Sequence, residues 1–270
     1  MSWRQSAAAV LDSGADVGEP GLAAGPGRGP AAPRGPRRRA LSVALDVSGE
    51  LLFTFGVLCA LYLVYVLWWT NVTAGFENRA ASSAFQHALA VAPSATTPSS
   101  AAAKPTDDLS DGTSFGFLYI PALGSGWRAL ITQGTERDQV LNTGAVGHYS
   151  SPATAMPWDG DGNFALAGHR DGHGMIFRDL DQLRPGDKVY VQTAYGWYVY
   201  RLDREAPSVP IDDVSVLAPI PVGSGYTEPG RYLTMTTCTP MYVDSSRLVW
   251  WGHLVQTTPR GVVPAGAAGS

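Results

Sequence analysis

Hydrophobic and polar positions divide the chain into stretches of different texture. From Leu51 to Trp69 the run LLFTFGVLCALYLVYVLWW carries no charge and is relieved only by Thr54 and Gly56. Such a run is long enough to cross a bilayer as a helix. From Ser114 onward the texture changes to short runs of β-branched, aromatic and other apolar residues broken by Gly and Pro: SFGFLYI, RALIT, NFALAG, KVYVQT, WYVYRLD, RYLTMTT and RLVWWGHLV. These read as strands. KVYVQT and WYVYRLD flank Ala194-Tyr195-Gly196, whose Gly suits a three-residue hairpin loop. Only MIFRDLDQL has helical spacing, with Ile176, Leu180 and Leu183 on one side before the Pro185-Gly186 stop. Many short strands with one helix predict a compact all-β barrel or sandwich.

Between these regions, FENRAASSAFQHALAVA reads as a short helix and PSATTPSSAAAKPTDDLSDG as a flexible or partly extended linker. Residues 1–40, rich in Ala, Gly, Pro and Arg, offer almost no large apolar side chain to offset the entropy of ordering. The expected organisation is a disordered arm (1–49), a transmembrane helix (50–70), a stalk (71–111), a β-domain (112–258) and a flexible tail (259–270).

Charge orients the span. Arg34, Arg37, Arg38 and Arg39 precede it and only Arg79 lies close after it, which leaves the N-terminus in the cytoplasm and everything beyond Thr70 outside the cell. Trp68 and Trp69 suit the outer interface. A cleaved signal peptide would need a shorter apolar region, and RAASSA lies well beyond its end. Lys104 onward carries seventeen acids against twelve bases, part of a net charge of −4. With no basic stripe there, nucleic acid is not an expected partner.

Of the two cysteines, Cys59 lies in the span and Cys238 stands alone outside, so a disulfide framework is excluded. RYLTMTTCTP places Cys238 at the end of a strand, just before Thr239-Pro240 breaks the ladder. If residues 239–246 form the following loop, antiparallel pairing sets Arg247 beside Cys238. Alternation then puts Cys238, Thr236 and Thr234 on one face and Leu233, Met235 and Thr237 on the other. An arginine beside a sulfur nucleophile can hold a substrate carbonyl or a developing oxyanion.

A thiol of pKa about 8.5 also needs an acid–base partner. His87 belongs to the stalk, and His253 lies six residues beyond Arg247, roughly 20 Å away at about 3.3 Å per residue. His148, His169 and His173 remain. His169 closes NFALAG, where small Ala167 and Gly168 let the backbone approach a neighbouring element. His169 and His173 have the H-x-x-x-H spacing of a helical metal pair, but the glycines around them favour a loop. DGDGN at 159–163 opens like a calcium loop, yet Phe164 and Arg170 occupy the positions of its Gly and Glu, so a turn is expected. Nothing demands a metal or organic cofactor.

Three segments in order, NFALAGHR, LTMTTCTP and SSRLVWWGHL, together resemble the sortase family, with LNTGAVGHY and HGMIFRDLDQLRPGDKVYV adding similar spacing. The resemblance covers about Ser114 to Gln256 and departs at Met235, where Leu is usual; that swap conserves volume. It implies a closed eight-stranded β-barrel with one or two short helices and a catalytic set of Cys238, His169 and Arg247. It further implies a membrane-anchored cysteine transpeptidase that cuts an L-P-x-T-G or L-A-x-T-G sorting signal between Thr and Gly. The acyl group would pass through a Cys238 thioester to an amine of the cell wall or a pilin. The sequence looks most similar to the class E sortases of high-GC Gram-positive bacteria. The implied partners are secreted proteins bearing the signal and a peptidoglycan-precursor or pilin amine. An exported cysteine hydrolase with the same residues, or a tethered non-catalytic binding barrel, are the competing readings. Protease added to intact cells should cleave the region beyond Asn71, and protection of that region would overturn the topology.

Overall fold

The computed structural model describes residues 36–91 and 109–267. The arm expected over 1–49 falls outside the described residues as far as residue 35, as do 92–108 of the stalk and 268–270 of the tail.

Helix α1 runs Pro36–Val64, and its stretch Val43–Val64 has a mean hydropathy of 1.9 with none of it buried, which fits a single-pass membrane anchor. Residues 36–49, expected in the arm, are helical instead. Leu41, Val43, Leu45 and Val47 add apolar positions toward the N-terminus, interrupted by Ser42, Asp46, Ser48 and Glu50. Inside the span the Thr54 hydroxyl donates to the Glu50 carbonyl at 2.8 Å, so this hydroxyl is satisfied within the helix. A π turn at Tyr65–Trp69 leads into α2, Thr70–Val91. This helix is longer than FENRAASSAFQHALAVA suggested, and it is no free spacer. Ala74 and Leu89 are buried, Phe85 meets Phe117 edge to face at 5.3 Å, and the Arg260 guanidinium donates to the Leu89 carbonyl.

Eight strands close a barrel in the order β1 (Ser114–Tyr119), β2 (Arg128–Gln133), β3 (Val146–His148), β4 (Gly162–Ala167), β7 (Arg231–Thr239), β8 (Ser246–Pro259), β6 (Gly196–Val209) and β5 (Lys188–Thr193). The pairs β2–β3 and β4–β7 are parallel and the others antiparallel. Closure removes the unpaired strand edges that an open sheet would expose. Seven strands match apolar runs in the sequence. The eighth, β3, is only three residues long, too short for alternation to show.

The interior is filled by inward-facing residues such as Leu118, Ile131, Phe164, Leu166, Val191, Tyr200, Leu233, Met235 and Trp250. On β7 the inward residues Leu233 and Met235 alternate with Thr234 and Thr236, which are also buried. Their cover is the long β6–β7 connection, residues 210–230. Its Val216 and Leu217 pack with Val249 and Trp251, and the Val216 carbonyl accepts from Trp251 Nε1 at 3.3 Å.

Three sequence expectations change. The segment MIFRDLDQL forms turns and a short 3-10 helix, Leu180–Gln182, rather than an α-helix. Its fully buried positions are Phe177, Leu180 and Leu183, every third residue, which is the 3-10 period. The β5–β6 hairpin closes through Ala194 and Tyr195 alone, because Gly196 already belongs to β6 and the Thr193 hydroxyl accepts from the Tyr195 and Gly196 amides. The tail, expected to be flexible from 259, folds back as far as residue 267: Ala267 is buried with Tyr190 and Trp197, and the Tyr190 hydroxyl donates to the Ala265 carbonyl at 3.1 Å.

Trp250 ties the barrel interior to the 3-10 segment, since it is 1% exposed and its Nε1 donates to the Leu180 carbonyl at 2.9 Å. Trp250→Ala should lower unfolding stability by about 3–5 kcal/mol, measured by urea denaturation of the purified chain. A loss under about 1 kcal/mol would show that this side chain does not anchor the core.

Candidate active site

Strand register assembles the site. On antiparallel β7 and β8, Cys238 lies directly opposite Arg247. On parallel β4 and β7, Ala167 is level with Thr236, so two further residues bring His169 and Cys238 out at the same rim of the barrel. The Gly168 amide donates to the Thr236 carbonyl and the Thr237 hydroxyl to the Gly168 carbonyl, extending the parallel ladder one step beyond β4. Cys238, His169 and Arg247 line one cavity of about 200 Å³, together with Arg137, Tyr149 and Thr236. Gly168 is small of necessity: a Cβ there would lie 2.6 Å from Phe177 Cδ2.

The loop that carries His169 is fastened on several sides. The next residue, Arg170, is buried and donates to Thr239 Oγ1 at 2.9 Å and to the Asp181 carboxylate at 2.7 Å. Asp171 accepts from the Tyr242 amide at 2.6 Å, joining this loop to the β7–β8 turn. Gly172 and Gly174 have positive φ, as do His173 and Met175, so a helix presenting His169 and His173 together cannot form. Their rings lie 5.6 Å apart, and among the described residues no group of three His, Cys, Asp or Glu gathers as metal ligands would.

Asn142 is the neighbour of His169 that pattern reading did not single out. Its amide nitrogen donates to Asp138 Oδ1 at 2.9 Å, and the carboxylate, an acceptor only, fixes which end of the amide faces away. Asn142 Oδ1 therefore faces His169 Nε2, 2.9 Å distant, and accepts its proton. The neutral imidazole then keeps Nδ1 as its basic nitrogen.

Burial is the main influence on both titrating groups. It pushes the Cys238 thiol above its ordinary range, opposed by Arg247 and Arg137 and reinforced by Asp244 and Asp171. It pushes the His169 imidazole below its ordinary range, helped by His173 and Arg137. Neutral thiol and neutral imidazole are thus the resting forms near neutrality.

The other histidines are placed elsewhere. His148 is buried between Gln133 Oε1 at 2.7 Å and the Ala155 carbonyl at 3.1 Å, and burial drops its pKa to about 4. His253 pairs with Tyr232 at the far end of β7 and contacts Asp203 at 2.5 Å. His87 is exposed on α2, and DGDGN bends at 159–161 and enters β4 at Gly162, with the Asp159 carboxylate accepting from the Met156 amide just before.

Beside the thiol cavity lies a second of about 170 Å³, which shares Tyr149, Thr236 and Arg247 with it. Its further walls are largely apolar: Pro152, Val209, Ile211, Val214, Val216 and Leu217, most of them on or next to the β6–β7 connection. Tyr149 and Thr236 share a hydroxyl–hydroxyl bond of 2.9 Å between the two cavities.

The sequence and the closed barrel both match known proteins. The sortase domain family matches residues 118–255. Sortase SrtE2 of Streptomyces coelicolor is 40% identical over 228 residues, 83% of this chain and 88% of that protein. Sortase SrtE1 of the same organism is 39% identical over 220 residues, 81% of this chain but only 59% of SrtE1, so the chain spans less than two thirds of that relative's length. The crystal structure of sortase E1 from Streptomyces coelicolor with a tripeptide in its active site superposes with a TM-score of 0.56 at 41% identity, covering 57% of this chain and 96% of that one. The chain belongs to the sortase family, and the relatives it matches are class E sortases.

A raised thiol pKa has a direct signature in alkylation. The rate at which iodoacetamide modifies Cys238 should still be climbing above the pH at which an ordinary thiol levels off, and Arg247→Ala should shift the profile further upward because a stabilising cation is lost. A profile that levels off at or below the ordinary thiol range would contradict this electrostatic account.

Proposed function

We propose that Cys238 is the nucleophile, His169 the acid–base and Arg247 the oxyanion donor of a transpeptidase acting on L-A-x-T-G or L-P-x-T-G sorting signals outside the cell. The observation that carries this reading is the convergence of the three side chains on one rim cavity that opens beside an apolar one. The apolar cavity suits the signal's Leu side chain, while the rim cavity takes the Thr–Gly peptide bond. The tripeptide named in the sortase E1 structure supports a peptide ligand at this rim.

In the first half-reaction the Cys238 thiolate adds to the Thr carbonyl carbon, and the oxygen takes up charge that the Arg247 guanidinium meets with N–H donors. Collapse breaks the C–N bond, and the His169 imidazolium gives its proton to the departing Gly amine. In the second, an acceptor amine loses a proton to His169, attacks the thioester and releases the Cys238 thiolate. Because burial favours both neutral forms, the reactive thiolate–imidazolium form is a minor one. The arginine cluster before the span supports an outward-facing domain, where exported proteins and wall or pilin amines meet.

Partitioning of the thioester tests the proposal. With an L-A-x-T-G or L-P-x-T-G peptide, the enzyme should form an acyl adduct on Cys238, and an oligoglycine or other primary amine should speed turnover and yield ligated product. Cys238→Ala should abolish turnover, and His169→Ala or Arg247→Lys should reduce it by about 100-fold or more. Hydrolysis unaffected by amine, with no ligated product across a panel of acceptors, would identify a protease instead.

A further inference from the structure

The helix that follows the membrane span touches the two loops behind His169. Asn71, Ala74 and Asn78 of α2 stand at positions i, i+3 and i+7, along one helical face. Asn71 Oδ1 accepts from the Gly174 amide at 2.9 Å, and Asn78 Nδ2 donates to the Gly144 carbonyl. Asn78 Oδ1 in turn accepts from the Ser82 hydroxyl at 2.9 Å, which orients its amide. Ala74, 1% exposed, sits between them against both glycines: a Cβ built on Gly144 would lie 3.6 Å from Ala74 Cβ, and one on Gly174 would lie 3.8 Å from it. Gly144 lies two residues after Asn142, and Gly174 ends the loop that begins at His169. One face of α2 therefore holds both the imidazole's loop and the turn carrying the amide that accepts its proton.

We propose that α2 is a positioning element of the active site: through Asn71, Ala74 and Asn78 it clamps the His169 loop and the Asn142 turn so that the imidazole is held for catalysis at Cys238. The inference rests on the assignment of His169 proposed above.

Elsewhere the helix adds little to the barrel. Its remaining contacts are carried largely by Phe85 and Leu89, with a cavity of about 490 Å³ along that stretch, and a second of about 440 Å³ borders the clamp itself, lined by Ala74, Asn78, Gly144 and Gly174. Packing this open supplies few of the dispersion contacts that a core gives, so detachment of the face should cost geometry at the site before it costs the fold. Small displacements at a reacting centre are expensive in rate, and the contact with Asn142 is the one that sets which imidazole nitrogen is basic.

The test uses the full chain in detergent and two independent variants. Asn71→Ala/Asn78→Ala removes both polar contacts, and Ala74→Leu, which leaves both Asn side chains in the chain, pushes the helix off the two glycines. Each should lower kcat for acyl transfer by about 10-fold or more with KM changed less than about twofold, and should shift the pH profile of the reaction. Amide hydrogen exchange should quicken at 142–144 and 169–175 and stay unchanged in β7 and β8. Near-normal kcat with unchanged exchange in those loops would overturn the proposal. So would a loss of activity accompanied by faster exchange throughout the barrel, which is what a merely stabilising helix predicts. If the unsubstituted chain shows no acyl transfer, the assignment of His169 fails, while exchange at the two loops still reports whether the clamp exists.

Discussion

The site depends on the register of three adjacent strands. Backbone pairing of β4 with β7 and of β7 with β8 fixes the levels of Ala167, Thr236, Cys238 and Arg247 to within one residue. A slip of one residue in either ladder would reverse the faces of a whole strand and carry Leu233 and Met235 out of the core. Register is therefore enforced by the barrel's hydrophobic interior, and the chemistry at the rim inherits that precision. The site asks little of flexible side chains, because ladder hydrogen bonds place the Cα atoms and the side chains extend from there.

β7 also explains why the site is electrostatically costly for a thiolate. The strand is covered on both faces, by the barrel interior on one and by the 210–230 connection on the other, and its end shares that cover. Desolvation raises the Cys238 thiol and lowers the His169 imidazole, while Arg247 partly opposes the first shift. A neutral resting thiol is less exposed to adventitious oxidation than a thiolate.

The loops behind His169 show how a strained segment is held. Positive φ at four consecutive residues, Gly172 to Met175, is uncommon backbone, and it persists because Arg170, Asp171 and Gly174 are each tied to a different element. Phe177 returns the chain to the core beneath Gly168, and its amide donates to the His169 carbonyl.

Local pattern in the sequence determined much of this protein. Seven of the eight strands were legible as apolar runs between Gly and Pro, because alternation and turn chemistry act over a few residues. The span was legible because its signal is additive along one helix, although its start was not, since Leu41 to Val47 alternate with polar residues and read as arm. Cys238 opposite Arg247 followed from counting residues across one hairpin. What the tertiary structure decided were contacts between segments far apart in sequence. The separate placements of the histidines are one, because only folding buries His148 beside Gln133 and brings His169 to the rim near Cys238. The role of Asn142, the return of the tail to Tyr190 and the docking of α2 on Gly144 and Gly174 are others. Each depends on residues separated by many positions, whose pairing no local period records, and in each the deciding interaction is a hydrogen bond or a close approach that exists only once the barrel has closed.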